Sequence, residues 1–531
     1  MLKLPAVFSD HMVLQRNKRI SVWGHSDGKK VSIRLIDDKN TELCREITEV
    51  DDGEWFTYLS PLNAGGPYLM EIKSGQDVVC YEDVMIGEVW LAGGQSNMEF
   101  ELHNCRDGES LVENAKDEGV RFYYTPKVSW VGEELLREEA NCSWELCKPE
   151  TCGRWSAVGY FFGKKLAEKL GVTVGILGCN WGGTSASCWM SREALESRKS
   201  LSSYLDEYDF VVATRTEEEY LEQYKEYKRR QGIFDEKVGE YYKNSSNPTW
   251  EEAVSLYGPN LYPGPMGSRS ERRPNGLYES MLKRVMPYSL KGFIYYQAEE
   301  DDHKPYIYGE LFEALIECWR RDWRDESLPF IFVQLPMFSD FGAEDFKNWP
   351  FLREAQAKVF NTVKNTGMAV ALDMGEFGNI HPIDKKPVGD RLANQALYQV
   401  YSQASEEEAF GPIYKDYMID NDKVYIQLEH VFDGLSCENG EITGFEIAGK
   451  DRVYYPATAM LLADEETNNA FTAQLVISCD KVKKPVYARY CWTNYSEVTL
   501  FGGNGIPVAP FRIRTDDGAI ATGNRQGIIM E

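Results

Sequence analysis

An apolar run, Val89-Trp90-Leu91-Ala92, stops against Gly93-Gly94, and the polar Gln95-Ser96-Asn97 follows at once. A short run with no polar alternation fits a strand buried on both faces, as in a parallel sheet. Two glycines then permit a tight turn, and the polar triplet reads as the start of a helix. This order places Ser96 at the carboxyl end of a strand, with its N–H at a helix start, where one residue can serve as nucleophile and oxyanion donor. Two further stretches repeat the pattern. Gly175-Ile176-Leu177 runs into Gly178-Cys179-Asn180-Trp181-Gly182-Gly183-Thr184, and Phe293-Ile294-Tyr295-Tyr296 ends in Gln297-Ala298-Glu299. In an open parallel sheet such ends share one edge.

Strands are expected at 87–92, 172–177, 292–296, 330–334 and 368–372, with helices at 156–170, 308–322, 351–364 and 388–404. This alternation defines an α/β body over residues 87–405. Before it, Ile20–Gly24 and Val31–Leu35 alternate with period two around the turn Ser26-Asp27-Gly28, and residues 1–86 read as a small β-sandwich. After it, Val424–Leu428, Phe471–Ile477 and Val486–Tyr490 indicate a second β-sandwich over 406–531. Residues 191–256, rich in Glu, Lys and Tyr, read as a helical insertion, either an arm or lid or a solvated helix pair. A loop-like stretch from Tyr257 to Gly276 follows, carrying Arg269, Arg272 and Arg273.

A length of 531 residues exceeds what one hydrophobic core serves, so several domains are expected. The formal net charge of −26 argues against nucleic acid and anionic membranes as partners, because both require basic surface. The 13 Trp, 31 Tyr and 24 Phe suit β-rich cores and equally sugar-binding clefts. The 12 cysteines are scattered, with no Cys-x-x-Cys pair, and read as reduced thiols. With no signal peptide or membrane span evident, a cytoplasmic location is the expectation.

A serine nucleophile needs a base, and histidine titrates in the right range. Of six histidines, His381 lies in Gly378-Asn379-Ile380-His381-Pro382, a polar loop after an expected strand, and so can reach the edge that carries Ser96. His303, within Glu299-Glu300-Asp301-Asp302-His303, is the rival; its acidic neighbours make either a metal site or a solvated loop. His103 is close to Ser96 in sequence, while His11, His25 and His430 lie in the β regions.

Gly94-Gln95-Ser96-Asn97-Met98-Glu99 resembles the nucleophile block of the sialate O-acetylesterase family, a branch of the SGNH hydrolases. Trp181-Gly182-Gly183-Thr184, Tyr296-Gln297-Ala298-Glu299 and Ile380-His381-Pro382, followed by Gly389 and Arg391-Leu392-Ala393, extend the likeness. Phe8–Arg16 resembles the family's opening and Gly505–Arg512 its closing motif. The resemblance implies a flavodoxin-like SGNH sheet flanked by N- and C-terminal β-sandwiches, with no metal or cofactor. It implies Ser96 as nucleophile, His381 as base, and an oxyanion hole of the Ser96 N–H, the Gly183 N–H and the Gln297 side chain. Glu299 and Trp181 are candidates for supporting or substrate contacts.

Two departures stand out. The family's block reads Tyr-Gln-Gly-Glu with an Asn two residues on, whereas this chain has Ala298 and Asp301. The SGNH pattern places an Asp three residues before the histidine, where Gly378 stands. The imidazole Nδ1–H needs an acceptor; a main-chain carbonyl is favoured, with Asp373, Glu376, Asp384 and Glu299 as alternatives. The expected activity is hydrolysis of acetyl esters on sugars, either O-acetylated sialic acids or acetylated xylo- or manno-oligosaccharides. A non-catalytic sugar-binding protein is the alternative from another class.

Overall fold

The computed structural model describes all residues except 117–118, 246–249, 340–346, 438–439, 463–472 and 522–531. At its centre is a sheet built on β1 (Asp77–Gly94), β2 (Val120–Tyr124), β3 (Val174–Asn180), β4 (Gly292–Tyr296), β5 (Phe330–Gln334) and β6 (Thr366–Val370). The spatial order is β2-β3-β1-β4-β5-β6, every pairing among them parallel, with the short antiparallel strand Glu145–Leu146 on the β2 edge. The residues of β4, β5 and β6, and those of β1 from Ile86 onward, are buried, as strands covered on both faces must be.

The chain leaves β1 toward β2 and β3 on one side and later builds β4, β5 and β6 on the other. The carboxyl end of β1 is therefore the point where the winding reverses, and such points open a crevice above the sheet. Helices α1 (Ala157–Leu170), α3 (Tyr308–Asp322), α4 (Asn348–Thr362) and α5 (Lys386–Ala396) cover the faces, and α1 packs on α5. The expected helix at 388–404 starts two residues earlier and loosens into a wider turn at Leu397–Tyr401.

Strand β2 was not among the expected elements. It contains Arg121, Tyr123 and Tyr124 in place of an aliphatic run, and the burial of Arg121 explains the disguise. Its guanidinium donates to His11 O (2.9 Å) and Asp83 O (2.7 Å) and pairs with the Asp83 carboxylate (3.1 Å), so the charge is neutralised against the N-terminal segment. Strand β1 runs unbroken through residue 86. Its first half pairs antiparallel with Gly65–Ser74, and Val13–Gln15 pairs parallel with Met85–Gly87. The N-terminal β-structure and the central sheet are thus joined through one strand.

Beyond α5 the chain forms two four-stranded antiparallel sheets and a two-stranded one. Of the expected strand Phe471–Ile477, Leu475–Ser478 is observed, while Phe471 and Thr472 lie outside the described residues. Arg353, fully buried on α4, donates to Leu335 O, Pro336 O, Thr493 O and Asn494 O at 2.7–3.0 Å, tying this region to the end of β5. The insertion consists of Arg192–Glu196, Ser202–Val212, the long α2 (Glu217–Asn244) and Trp250–Tyr257. No helix among the described residues is long and apolar enough to cross a membrane.

Candidate active site

Gly94 has φ +136°, and a Cβ there would lie 2.1 Å from Tyr296 O, so only glycine allows β1 and β4 to close this tightly. The approach lets Gln95 N–H donate to Tyr296 O (3.1 Å). Ser96 then opens a single helical turn, Ser96–Glu99, with its side chain half-buried on the rim.

The histidine arrives from the far side. After β6, Asp373 takes both Arg391 NH groups at 2.6 and 2.8 Å, pinning the loop to α5. Glu376 accepts from Asn379 Nδ2 (2.8 Å) and Ile383 N (2.9 Å), and Asn379 Oδ1 accepts from His381 N (3.0 Å). So framed, His381 Nε2 lies 2.8 Å from Ser96 Oγ across 285 residues of sequence. Burial lowers the imidazole pKa, the charge of Lys385 lowers it further, and Glu99 opposes both.

The expected carbonyl at Nδ1 is not found among the described residues. The nearby Ile380 carbonyl is taken by Asn97 Nδ2 (3.0 Å), and the four carboxylate alternatives are engaged elsewhere. Asp373 binds Arg391, Glu376 holds the loop, Asp384 pairs with Arg106 at 3.4 Å, and Glu299 accepts from Asn97.

Beneath the pair lies a buried polar cluster that sequence reasoning did not assemble. Asn97 Nδ2 donates to Glu299 Oε1 (2.7 Å) as well as to Ile380 O, and Lys385 Nζ donates to Asn97 Oδ1 (2.5 Å). All three side chains are almost fully buried. Burial pulls the Lys385 ammonium down to about 7 and pushes the Glu299 carboxyl up, while each partner's charge partly offsets the other's desolvation. Asn97 sits inside the nucleophile motif and Lys385 four residues after His381, so adjacency was the one available signal.

The glycine loop after β3 faces Ser96. Gly182 N–H donates to Glu99 Oε2 (2.6 Å), and Lys127 pairs with the other Glu99 oxygen. Gly183, at φ +65°, has no hydrogen bond on its N–H among the described residues, and neither has Ser96. The Gln297 amide is buried; its Nε2 donates to Asp301 Oδ2 (2.6 Å) and, at a longer 3.4 Å, to Thr184 O. Asp301, fully buried, also accepts from Ser185 Oγ (2.6 Å), Tyr204 OH (2.9 Å) and Ala186 N (2.9 Å). A carboxylate at this position therefore ends in four donors. Ala298 holds φ 156°, ψ −18°, a conformation suited to the family's glycine. Trp181 is half-buried beside the glycines, with the Lys127 ammonium 5.3 Å from its ring centre.

Other candidates lie apart. His103 binds Gly153 O (2.7 Å), His11 pairs with Asp83 (2.7 Å) and His430 with Glu406 (3.0 Å). His303 bonds Glu300 O (2.9 Å), and among the described residues no three His, Cys, Asp or Glu side chains group to hold a metal ion. In the arginine loop, Arg272 pairs with Glu300 (2.7 Å), Arg273 donates to Ser129 O (3.3 Å), and Arg269 lies over Trp130.

The family model for "carbohydrate esterase, sialic acid-specific acetylesterase" matches residues 266–398, which carry the Gln297 and His381 loops. Sialate O-acetylesterase of Mus musculus is 28% identical over 441 residues, covering 76% of this chain and 74% of its own. That of Homo sapiens is 24% identical over 551 residues, covering 96% and 92%. A solved carbohydrate acetylesterase from Xanthomonas citri superposes with TM-score 0.75 at 28% identity, over 97% of this chain and 100% of that one. A serine–histidine pair at the crossover of a parallel sheet, joined to these matches, makes the chain a carbohydrate esterase. Among the curated relatives, its similarity is to the sialate O-acetylesterases.

Proposed function

We propose that this protein removes O-acetyl groups from carbohydrates through an acetyl-enzyme on Ser96. The carrying observation is the 2.8 Å contact between Ser96 Oγ and His381 Nε2 on the half-buried rim above β1. His381 accepts the hydroxyl proton as Ser96 Oγ attacks the acetyl carbonyl. The oxyanion meets the unengaged N–H groups of Ser96 and Gly183, and the second Gln297 Nε2 proton, held only by the long bond to Thr184, is the third donor. His381 returns the proton to the departing sugar alkoxide, and water, activated by the same imidazole, releases acetate. The lowered His381 pKa keeps it a base in mildly acid solution.

The strand order and the site's position support reading residues 87–405 as an SGNH-type, flavodoxin-like body, with 1–86 and 406–531 as flanking β-sandwich domains. Support for a cytoplasmic location comes from the twelve cysteines, none of them in a disulfide. For the sugar, the family points to O-acetyl sialate. The engagement of Arg272 and Arg273 within the fold favours neutral acetylated oligosaccharides as a second reading, because a sialate carboxylate is best met by a free guanidinium.

Ser96→Ala is the test. Turnover of p-nitrophenyl acetate, and acetate release from O-acetyl sialate, acetylated xylan and acetylated mannan, should fall by roughly 10⁴-fold or more with folding intact. Near-normal activity in that variant, or failure of a fluorophosphonate to label Ser96 in the parent protein, refutes the assignment.

A further inference from the structure

The inserted helices leave a question that the catalytic pair does not answer, namely what the long α2 is for. Its tyrosine face packs on the loop 258–273 at many points. The Tyr227 ring lies where a Cβ on Gly264 would be, at 2.4 Å, and the Tyr220 ring occupies the same place over Gly267, at 2.3 Å. Tyr220 OH accepts from Arg269 N (3.1 Å), Ser268 Oγ donates to Glu217 Oε1 (2.5 Å), and Arg215 donates to Met266 O. At the loop's tip Gln231 Oε1 accepts from Leu261 N (3.0 Å), and its Nε2 donates to Asn260 Oδ1 (2.9 Å), which in turn accepts from Tyr262 N (3.0 Å). The backbone on both sides of Tyr262 is therefore held by α2.

The place to which Tyr262 is delivered is specific. Its hydroxyl lies 3.4 Å from Gly183 O, and a Cβ on Gly183 would sit 1.9 Å from the Tyr262 hydroxyl oxygen. On the other side of the same glycines, a Cβ on Gly182 would lie 3.1 Å from Ser96 Cβ. Tyr262 thus stands directly beyond the glycine pair that faces the serine, 40% exposed, with Trp181 immediately before those glycines. Two partly open aromatic rings flank the strip of backbone beside the reacting group. Flat apolar faces with a polar edge suit the CH-lined face of a pyranose.

We propose that Tyr262, carried to the glycine loop by α2, is a specificity-determining residue that holds the sugar ring of the acetyl ester against the rim, with Trp181 as the companion surface. The proposal rests on the acetylesterase reading and adds to it the group that recognises the alcohol side of the ester. It assigns the insertion a task, which is to fix this loop.

The test separates sugar recognition from ester chemistry. Tyr262→Ala, Tyr262→Phe and Gln231→Ala are assayed on p-nitrophenyl acetate, which has no sugar, and on O-acetylated N-acetylneuraminic acid and acetylated xylo-oligosaccharides, with thermal melting as a check on folding. For whichever sugar ester the parent hydrolyses, Y262A should raise KM roughly tenfold with kcat little changed. In the same variant p-nitrophenyl acetate turnover should fall far less than that of the sugar ester. Y262F, which keeps the ring, should stay near the parent, and Q231A, which only loosens the loop, should raise the sugar KM by a few fold. An unchanged sugar KM in Y262A, a parallel loss on p-nitrophenyl acetate, or a Y262F as impaired as Y262A overturns the proposal. A parent that turns over p-nitrophenyl acetate but neither sugar ester defeats the acetylesterase reading instead.

Discussion

Replacing Lys385 with Met probes the charge buried beneath the Ser96–His381 pair. The ammonium donates to Asn97 Oδ1 at 2.5 Å, lies 4.7 Å from the Phe100 ring centre and 5.6 Å from that of Tyr296, and feels the charges of Glu299 and Glu376 and the thiol of Cys105. His381 feels Lys385 and, in the opposite sense, Glu99. Burial pulls Lys385 down to about 7 and lowers the imidazole from its ordinary value, so Lys385 carries most of its charge where His381 titrates. That charge favours neutral imidazole and extends the active range of the base toward acid pH. A neighbouring full charge at an effective dielectric near 20 moves a pKa by roughly one unit. In K385M the acid limb of kcat/KM should therefore rise by about that amount, with the alkaline plateau changed less.

The measurement is kcat/KM on p-nitrophenyl acetate from pH 4.5 to 8.5, assay conditions spanning the limb. Loss of the ammonium also leaves Glu299 buried without its cation, so K385M/E299Q, neutral and close in volume, is run beside it; the Gln oxygen still accepts from Asn97 Nδ2. Glu299 is not among the charges that shift His381, so the double variant should show the same displacement. An acid limb that stays in place in both variants refutes the electrostatic reasoning. Stability against pH carries the same signature. The folded state depresses the Lys385 pKa, so between about 7 and its ordinary value the unfolded chain binds more protons and stability rises with pH. K385M should flatten that rise in a pH series of melting temperatures.

Other positions yield further expectations. Asp301→Ala strands Gln297 Nε2, Ser185 Oγ, Tyr204 OH and Ala186 N in a dry interior and should cost on the order of 3 kcal/mol or more, read by denaturant unfolding. D301N keeps one acceptor oxygen and should lose less. Ala298→Gly relieves the backbone at φ 156° and should raise the melting temperature, by a net gain of roughly 1 kcal/mol after glycine's entropy cost; a lowered melting temperature counts against strain there. Gly94→Ala would force a methyl to within 2.1 Å of Tyr296 O and should abolish both soluble expression and Ser96 labelling, whereas a well-folded, active G94A contradicts the close packing of β1 on β4.

The central strands were legible because burial on both faces leaves unbroken apolar runs, as at Phe293–Tyr296 and Phe330–Gln334. Strand β2 was not, since Arg121 is paired with the Asp83 carboxylate and held by the carbonyls of Asp83 and of the distant His11, which no local pattern announces. The meeting of Ser96 with His381 followed from edge topology together with the shortage of histidines. The orientation of the imidazole did not, because it depends on which side chains close the loop: Asn379 holds the His381 backbone, and Glu376 braces the loop through Asn379 and Ile383 without meeting the ring. Asp301 and Ala298 were visible as departures from a pattern, but their meaning is tertiary. One is a carboxylate with four donors around it, and the other is an alanine in a conformation made for glycine.

These features share a cause. Ser96, Gly183, Gln297 and His381 come from four separate strand ends, and no stretch of regular structure fixes all four. The fixing falls to buried polar side chains, each of which must be fully paired to be tolerated. Asn97 binds the Glu299 loop, the His381 loop and the start of α5 at once, and Asp301 binds the Gln297 loop to the segment that follows the glycines. Because each pairing is lost if either loop moves, the two residues convert a displacement of one loop into unpaired buried groups on another. Such coupling makes the loops cooperative, so Asn97→Ala should disturb the serine and histidine together. Its loss of kcat should exceed what an altered His381 pKa accounts for, and it should persist on the pH-independent plateau. A variant whose plateau matches the parent's would show that the strand ends hold their positions without Asn97.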